Sequence, residues 1–226
     1  MRKTNFLMMV LATAMTLSAI SCEKEPQPTQ SSSFEPLSWT LNQSEITLLP
    51  GEATKVYGTV AWSNGQTDSD IEAVNLNSEN ASVWTYGGWT MVGMTPGTST
   101  VKANVRMGGS GWTGYKEFYQ DVKVNVVNPD KPIVSLEISP ASATIKSGEE
   151  INFKIYAVYE DSRREIAPIA CSFDVRDDGT QHVSYTFKDN KATVGASQGK
   201  GETFIKVTYA ENGKTVEASS TIESVL

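Results

Sequence analysis

Histidine and cysteine are nearly absent from this chain of 226 residues, which holds one histidine and two cysteines. A zinc site needs three or four nitrogen or sulfur ligands, so these residues cannot build one. Any catalytic Ser–His or Cys–His pair would depend on His182, which stands next to a polar turn and is expected to be solvated. The sequence therefore predicts no cofactor, no metal centre and no enzyme activity.

Clusters of positive charge are missing as well. Lysine and arginine together number 19 against 26 aspartates and glutamates, which gives a formal net charge of −7. Affinity for nucleic acid comes mainly from cationic contacts with phosphate, so the composition disfavours nucleic acid as a partner. Binding to an anionic membrane surface through charge is disfavoured for the same reason.

Only one long apolar run is present, from Phe6 to Ile20, and it follows Arg2 and Lys3. Its 15 residues are fewer than the roughly 20 that a helix needs to cross a bilayer. A cationic start, an apolar run and a small residue before the cut form the layout of a secretory signal. Residues 1–21 are therefore predicted to be a signal peptide, with Cys22 as the first residue of the mature chain.

The segment from Ala19 to Cys22 resembles the signal of bacterial lipoproteins, although Ala19-Ile20-Ser21 would also suit an ordinary signal peptidase. The resemblance implies that Cys22 is acylated and anchors the chain in a membrane, because two or three acyl chains bind stably where one is marginal. Glu23-Lys24-Glu25 resembles the export signal of surface lipoproteins in some Gram-negative bacteria. That implies an outer-membrane anchor exposed at the cell surface, with a simple solvated tether as the alternative.

Residues 22–36 contain almost nothing apolar, so they are predicted to form a disordered tether behind the lipidated Cys22. Acylation of Cys22 would leave Cys171 without a partner inside the chain. Cys171 stands in strand-like sequence, where an unpaired cysteine usually behaves as a small buried hydrophobe.

The remainder of the chain repeats one pattern. Residues 37–62 match residues 134–159 without a gap, and Val92 later falls on Val194. Apolar residues alternate in both copies, as at Ile151, Phe153 and Ile155, which is the period of strands with one buried face. No segment shows a sustained helical period. The pattern predicts an all-β chain of two sandwiches.

The order of these pieces resembles the group 2 bacterial Ig-like domain found in invasin- and intimin-like adhesins. The resembling segments in the second copy are Leu136–Pro140, Thr144–Glu149 and Val194–Gly199, and the first copy repeats them in weaker form. The resemblance implies tandem Ig-like β-sandwiches and an extracellular setting, and it implies much less about activity. We expect one domain over residues 37–128, a linker over 129–132 and a second domain over 133–226.

All five tryptophans lie in the first copy. Trp39 and Trp62 fall on Leu136 and Tyr159 in the internal alignment, so both are predicted to be core residues. Placing Val92 on Val194 sends another set of side chains outward, where the second copy has only threonine and lysine: Trp84, Tyr86, Trp89 and Met91. Exposed aromatic clusters of this kind often mark an interface or a ligand site.

The last hairpin is the second difference between the copies. In the first copy a long loop is predicted from Arg106 to Asp121, with Trp112 and Tyr115 at its tip. Aromatic faces stack on sugars and on apolar peptide groups, so the candidate binding residues are Trp84, Tyr86, Trp89, Met91, Trp112 and Tyr115. A protein partner, a glycan, and a cluster that merely covers itself remain alternatives. The sequence favours a surface lipoprotein with a noncatalytic binding face, and a passive spacer or assembly subunit is the second possibility.

Overall fold

A computed structural model describes residues 33–109, 114–177, 183–188, 191–196 and 200–225. The predicted signal peptide, Cys22, most of the predicted tether, Trp112 and His182 lie outside these residues. Within the described ranges the chain forms strands, together with one turn of 3-10 helix over Pro168–Ala170. No helix in those ranges is long and apolar enough to span a membrane.

The first copy folds into ten strands: β1 (Pro36–Leu41), β2 (Glu45–Leu48), β3 (Ala53–Thr54), β4 (Tyr57–Trp62), β5 (Thr67–Glu72), β6 (Asn75–Ser78), β7 (Val83–Tyr86), β8 (Thr90–Gly93), β9 (Gly97–Met107) and β10 (Lys116–Val126). On one side of the core, β1 pairs with β4 and β4 with β5, while β3 pairs with β8 and β8 with β7. On the other side the order is β2-β10-β9-β6, with β2 parallel to β10.

The described residues of the second copy form nine strands: β11 (Ser135–Ser139), β12 (Ser142–Lys146), β13 (Glu150–Val158), β14 (Arg163–Ile166), β15 (Ser172–Asp177), β16 (Val183–Lys188), β17 (Lys191–Ala196), β18 (Gly201–Glu211) and β19 (Lys214–Val225). Their orders are β11-β13-β17-β16 and β12-β19-β18-β15, with β12 parallel to β19. The two copies therefore share one immunoglobulin-like arrangement, in which β13 corresponds to β3 and β4 together. The predicted all-β, tandem Ig-like fold is confirmed.

Two separate hydrophobic cores fill the sandwiches. Trp39 and Trp62 are 1% and 8% exposed in the first core, which confirms their predicted placement. The indole of Trp39 lies across Gly58, where an added Cβ would stand 2.3 Å from Trp39 Nε1. The close approach explains why a strand of the core carries a glycine at this position.

Two turns follow the predicted chemistry. Gly51 has φ of 76° and the Glu52 N–H donates to the Leu49 carbonyl at 3.0 Å, as in a type II turn. Asn212 and Gly213 both have positive φ between the paired residues Glu211 and Lys214, as a type I′ hairpin requires.

The predicted tether is too long at its carboxyl end. Phe34 packs edge-on against Trp62, with ring centroids 5.3 Å apart, and the Glu35 N–H donates to Ser63 Oγ at 3.0 Å. Pro36 already begins β1. Residues 34–36 belong to the sandwich because the single aromatic ring of this segment has an apolar partner to pack on, so the prediction of disorder through residue 36 is wrong.

The predicted loop from Arg106 to Asp121 is mostly strand. β9 continues to Met107 and β10 begins at Lys116, with Arg106 opposite Glu117 in the register. The connection between them spans only residues 108–115. The strands stay paired because inward side chains such as Val105 and Phe118 continue to pack against the core beyond the expected end of the hairpin.

The turn after β2 joins the two sandwiches. The Pro50 carbonyl accepts hydrogen bonds from Arg164 Nη1 at 2.7 Å and from Tyr209 Oη at 2.8 Å. A Cβ added at Gly51 would stand 2.8 Å from Ile166, so the turn is pressed directly onto the second sandwich. Glu211, which is 3% exposed, completes the junction by accepting from Arg164 Nη2 at 2.9 Å.

Candidate functional site

The hairpin of β7 and β8 carries the predicted aromatic residues. Tyr86 is paired with Thr90, so three residues form the connection. Gly87 and Gly88 have φ of 62° and 84°, a conformation that side chains with a Cβ rarely adopt. These two glycines permit the tight reversal and present Trp89 at the tip, with its indole 3.3 Å from where a Cβ of Gly87 would stand.

Trp84 is 54% exposed and Trp89 is 39% exposed, which confirms that both side chains face outward. Tyr86 is half-buried. At the aligned position of the second sandwich Thr186 is exposed, so a polar residue stands there in place of the indole of Trp84. Whether these aromatic residues bind a ligand stays a prediction.

The prediction for Met91 is wrong, because its side chain is 0% exposed and packs in the first core. In the second sandwich Tyr185 pairs with Val194, whereas in the first Val83 pairs with Gly93 and not with Val92. The two hairpins thus differ in register by one residue. A one-residue slip turns every side chain of a strand to the opposite face. On the other edge of β8, Met91 pairs with Thr54, and Val194 pairs with Ile151, which is the aligned counterpart of Thr54. Met91 therefore fills the core position that Val194 occupies in the other copy.

The outward face of this hairpin also contains buried side chains. Val92 and Thr90, the register partners of Trp84 and Tyr86, are 0% and 5% exposed although they lie on the outer side of the sheet. Val74, which is 49% exposed, extends the apolar surface beside Gly88. We call Val74, Trp84, Tyr86 and Trp89 the hairpin surface.

Tyr115 lies elsewhere. It is 66% exposed, and the guanidinium of Arg106 stands 4.6 Å from the centroid of its ring. Arg106 projects from the outer side of the β2-β10-β9-β6 sheet, whereas Trp84 projects from the outer side of the β3-β8-β7 sheet. The structure therefore does not bring Tyr115 together with Trp84 and Tyr86.

Sequence reasoning missed Tyr119, which is 57% exposed on the outer side of β10. Its hydroxyl donates to Glu117 Oε2 at 2.6 Å. This hydrogen bond, and then the negative charge of Glu117, raise the pKa of Tyr119, while the amide of Asn104 opposes the rise. The strand alternation of Glu117, Tyr119 and Asp121 could have revealed this residue if the segment had not been assigned to a loop.

Groups suited to metal binding are scarce. No cluster of three or more histidine, cysteine or carboxylate side chains occurs in the part of the chain that the structure describes. Cys171 packs against the second core, and burial raises its pKa to about 12. The raised pKa agrees with the expectation that Cys171 is unreactive, although the side chain is half-buried and not fully buried as expected.

Comparisons with known proteins add little to this geometry. No family model matches the chain, and no curated protein matches it. Among solved structures, the chain is 14% identical to the S-layer protein SbsC over 84% of its own length and only 28% of that chain, with a TM-score of 0.29. SbsC domains 4 and 5 are 15% identical over 85% of this chain and 100% of theirs, with a TM-score of 0.30.

The titin domains Z1Z2, solved in complex with telethonin, are 12% identical over 84% of this chain and 96% of theirs, with a TM-score of 0.27. The Ig-like assignment stands instead on the strand order and pairing of the two sandwiches.

Proposed function

We propose that this protein is a lipid-anchored surface protein of a Gram-negative bacterium, built from group 2 bacterial Ig-like domains, with a noncatalytic binding face on its first sandwich. Cys22 carries the acyl chains and holds the protein in the outer membrane, facing outward. The hairpin surface makes contact with a protein or glycan partner. The lipoprotein-like segment before Cys22 supports the anchor, and the low counts of histidine and cysteine support the absence of catalysis.

One observation carries the proposal. Exposed aromatic side chains are concentrated in the first sandwich, where Trp84 and Trp89 are 54% and 39% exposed. Among the described residues of the second sandwich, Phe204, at 41% exposed, is the large aromatic side chain of comparable exposure. Two copies of one fold need similar cores, so the surplus of exposed indoles in one copy points to contact with something outside the chain.

A passive spacer or assembly subunit of an envelope complex is the second candidate function. The hydrogen bonds that Pro50 accepts from Arg164 and Tyr209 favour it, because they link the two sandwiches directly. A stiff connection of this kind suits a protein that holds other components at a fixed separation. Such a spacer would need no ligand on the hairpin surface.

The test is capture of partners from a solubilised envelope preparation and on a glycan array by the mature protein and by the double variant Trp84→Ala/Trp89→Ala. Phe204→Ala is the matched control, since it removes an exposed aromatic ring from the other sandwich. Tryptophans at binding hot spots commonly contribute more than 1 kcal/mol each, so the double variant should bind at least about tenfold more weakly. Equal capture by all three proteins, or no capture by the parent, would favour the spacer.

A further inference from the structure

The outer side of the β2-β10-β9-β6 sheet carries an ordered set of polar and aromatic residues. Ala103, Val105 and Val122 face the core, so the alternate residues face outward. Across the register the outward pairs are Glu117 with Arg106, Tyr119 with Asn104, and Asp121 with Lys102, and Asn75 of β6 continues the middle row. We call this set the tyrosine face, with Tyr115 at its end over Arg106.

Charge on the tyrosine face cancels. Glu117 stands directly opposite Arg106, and Asp121 stands directly opposite Lys102, so each acidic side chain has a basic one about 5 Å away across the strands. A surface of this kind offers no net attraction to phosphate or to an acidic polymer. Its many hydrogen-bonding groups also differ from the core of a protein interface, which is depleted in charged residues.

Two tyrosine rings stand up from this face. Tyr115 is 66% exposed with Arg106 against its ring, and Tyr119 is 57% exposed with its hydroxyl bonded to Glu117. The two residues are four positions apart, which corresponds to about 13 Å along an extended strand. Both rings are positioned by partners before any ligand arrives, which lowers the entropy that binding must overcome.

Asn104 lies between these rings and β6, and one of its hydrogen-bonding atoms has no partner. Its side chain is 9% exposed, and Oδ1 has no hydrogen-bond partner among the residues that the structure describes. A buried carbonyl oxygen without a donor costs about 1–3 kcal/mol, so such groups are rare in folded proteins. This oxygen has almost no exposed surface, so a ligand hydroxyl, the neutral donor that suits a face without net charge, reaches it only when the neighbouring side chains move aside.

We propose that the tyrosine face binds a neutral polysaccharide. Tyr115 and Tyr119 stack on the C–H faces of sugar rings, and Asn104 and Asn75 bond sugar hydroxyls between them. The inference rests on the proposed function in taking the first sandwich as the binding module, but it concerns a surface on a different sheet from the hairpin surface.

The second sandwich lacks this arrangement on the same fold. Leu48 aligns with Ile145 in the other copy. Leu48 pairs with Val126 and Ile145 pairs with Ser224, so Val126 corresponds to Ser224. Counting back seven residues along each strand, Tyr119 corresponds to Glu217. Thr208 is the register partner of Glu217, in the place of Asn104. The sheet can therefore be built without tyrosine or asparagine at these positions, which argues that they serve something other than folding.

The experiment is native gel electrophoresis of the full mature protein in gels that contain one polysaccharide each. Hydroxyethyl cellulose, yeast mannan, glycogen and arabinogalactan are the neutral probes, and polygalacturonate is the acidic probe. At least one neutral probe should retard the parent protein, and Tyr115→Ala/Tyr119→Ala should weaken that binding at least about tenfold. Phe204→Ala removes an exposed ring from the other sandwich and should be retarded like the parent.

Asn104→Leu keeps the branched shape of the side chain and removes both its acceptor and its donor, so it should bind more weakly while it still unfolds cooperatively on heating. Tyr119→Phe keeps the ring and should retain most of the binding, whatever the fate of Asn104→Leu. The proposal is overturned if no neutral probe retards the parent, if only polygalacturonate does, or if the tyrosine double variant binds normally. Loss of partner capture by Trp84→Ala/Trp89→Ala in that situation would leave the proposed function standing.

Discussion

Individual aromatic side chains of one type have opposite environments in this protein. Trp39 is 1% exposed and lies across Gly58, whereas Trp84 is 54% exposed on an outer face. Both are strand residues, so strand formation alone does not decide their role. The direction of each side chain is set by the parity of its position within a paired strand. The internal alignment predicted that direction for Trp39, Trp62 and Trp84, because a second copy of the fold was available to compare.

Cys171 gives a prediction at the scale of one residue. In a Cys22→Ser variant, whose only thiol is Cys171, labelling by iodoacetamide at pH 8 should be at least about a hundredfold slower than for free cysteine. The reason is that burial raises the pKa of Cys171 from its ordinary value of 9.0 to about 12, and only the thiolate reacts. Rapid labelling of the folded protein would contradict this placement.

The sign of the pH dependence follows from the same shift. The folded protein favours the protonated thiol, so the contribution of Cys171 to stability is fully present below pH 9 and is lost as pH rises towards about 12. The difference in unfolding free energy between the parent and Cys171→Ala should therefore shrink across this window. Urea titrations at pH 8 and pH 10.5 would measure it.

At the scale of the element, the hairpin of β7 and β8 shows where sequence reasoning stops. Alternation predicted both strands and the outward positions of Trp84 and Trp89. It could not predict that three residues connect these strands while two residues separate Lys188 from Lys191 in the other copy. An alignment of single positions carries no information about which residues pair across a turn, so the direction of Met91 was assigned to the wrong face.

Met91→Lys tests this register. A lysine at a position that is 0% exposed places an unpaired charge in the core, so the free energy of unfolding should fall by several kcal/mol. Trp84→Lys is the matched control and should cost less than about 2 kcal/mol, because its stem can cover Val92 while the ammonium reaches water. Urea unfolding of both variants gives the comparison, and a Met91→Lys protein as stable as the parent would refute the observed pairing.

The tyrosine face illustrates the same limit in another hairpin. A glycine-rich segment suggested a long loop, and this assignment hid Tyr119 and Asn104, which become neighbours only when β9 and β10 pair over their full length. Exposure of Tyr115 does not depend on the pairing, so it was predicted from the turn composition alone. Long-range pairing between strands was the missing information.

At the scale of the whole molecule, the two sandwiches are joined by a polar cluster that the sequence pattern does not predict. Arg164 and Pro50 are 114 positions apart, and each residue is ordinary in its own segment. The repeated strand order was predictable because both copies carry the same alternation and turns. The contact between the copies was not, because an alignment of the two copies compares equivalent positions and carries no information about which residues of one copy touch the other.

Arg164→Ala tests the importance of this junction. It leaves Glu211, which is 3% exposed, without its cationic partner and removes a donor from Pro50, so the free energy of unfolding should fall by about 3–5 kcal/mol. Adding Glu211→Gln should recover part of the lost unfolding free energy, because it removes the buried carboxylate that no longer has a cationic partner. Arg163→Ala is the neighbouring control, because its ion pair with Glu137 is exposed and should contribute less than about 1 kcal/mol.

The proposed anchor at Cys22 and the exposed aromatic residues support the proposal of a protein that is held at a surface and makes contact there. The central claim is that Trp84 and Trp89 serve binding and not folding. The most direct measurement compares urea unfolding and partner capture for the same Trp84→Ala/Trp89→Ala protein. We expect lost capture with a fall in unfolding free energy of no more than about 2 kcal/mol, against about 3–5 kcal/mol for Trp39→Ala. A fall as large as that of Trp39→Ala, or unchanged capture, would contradict it.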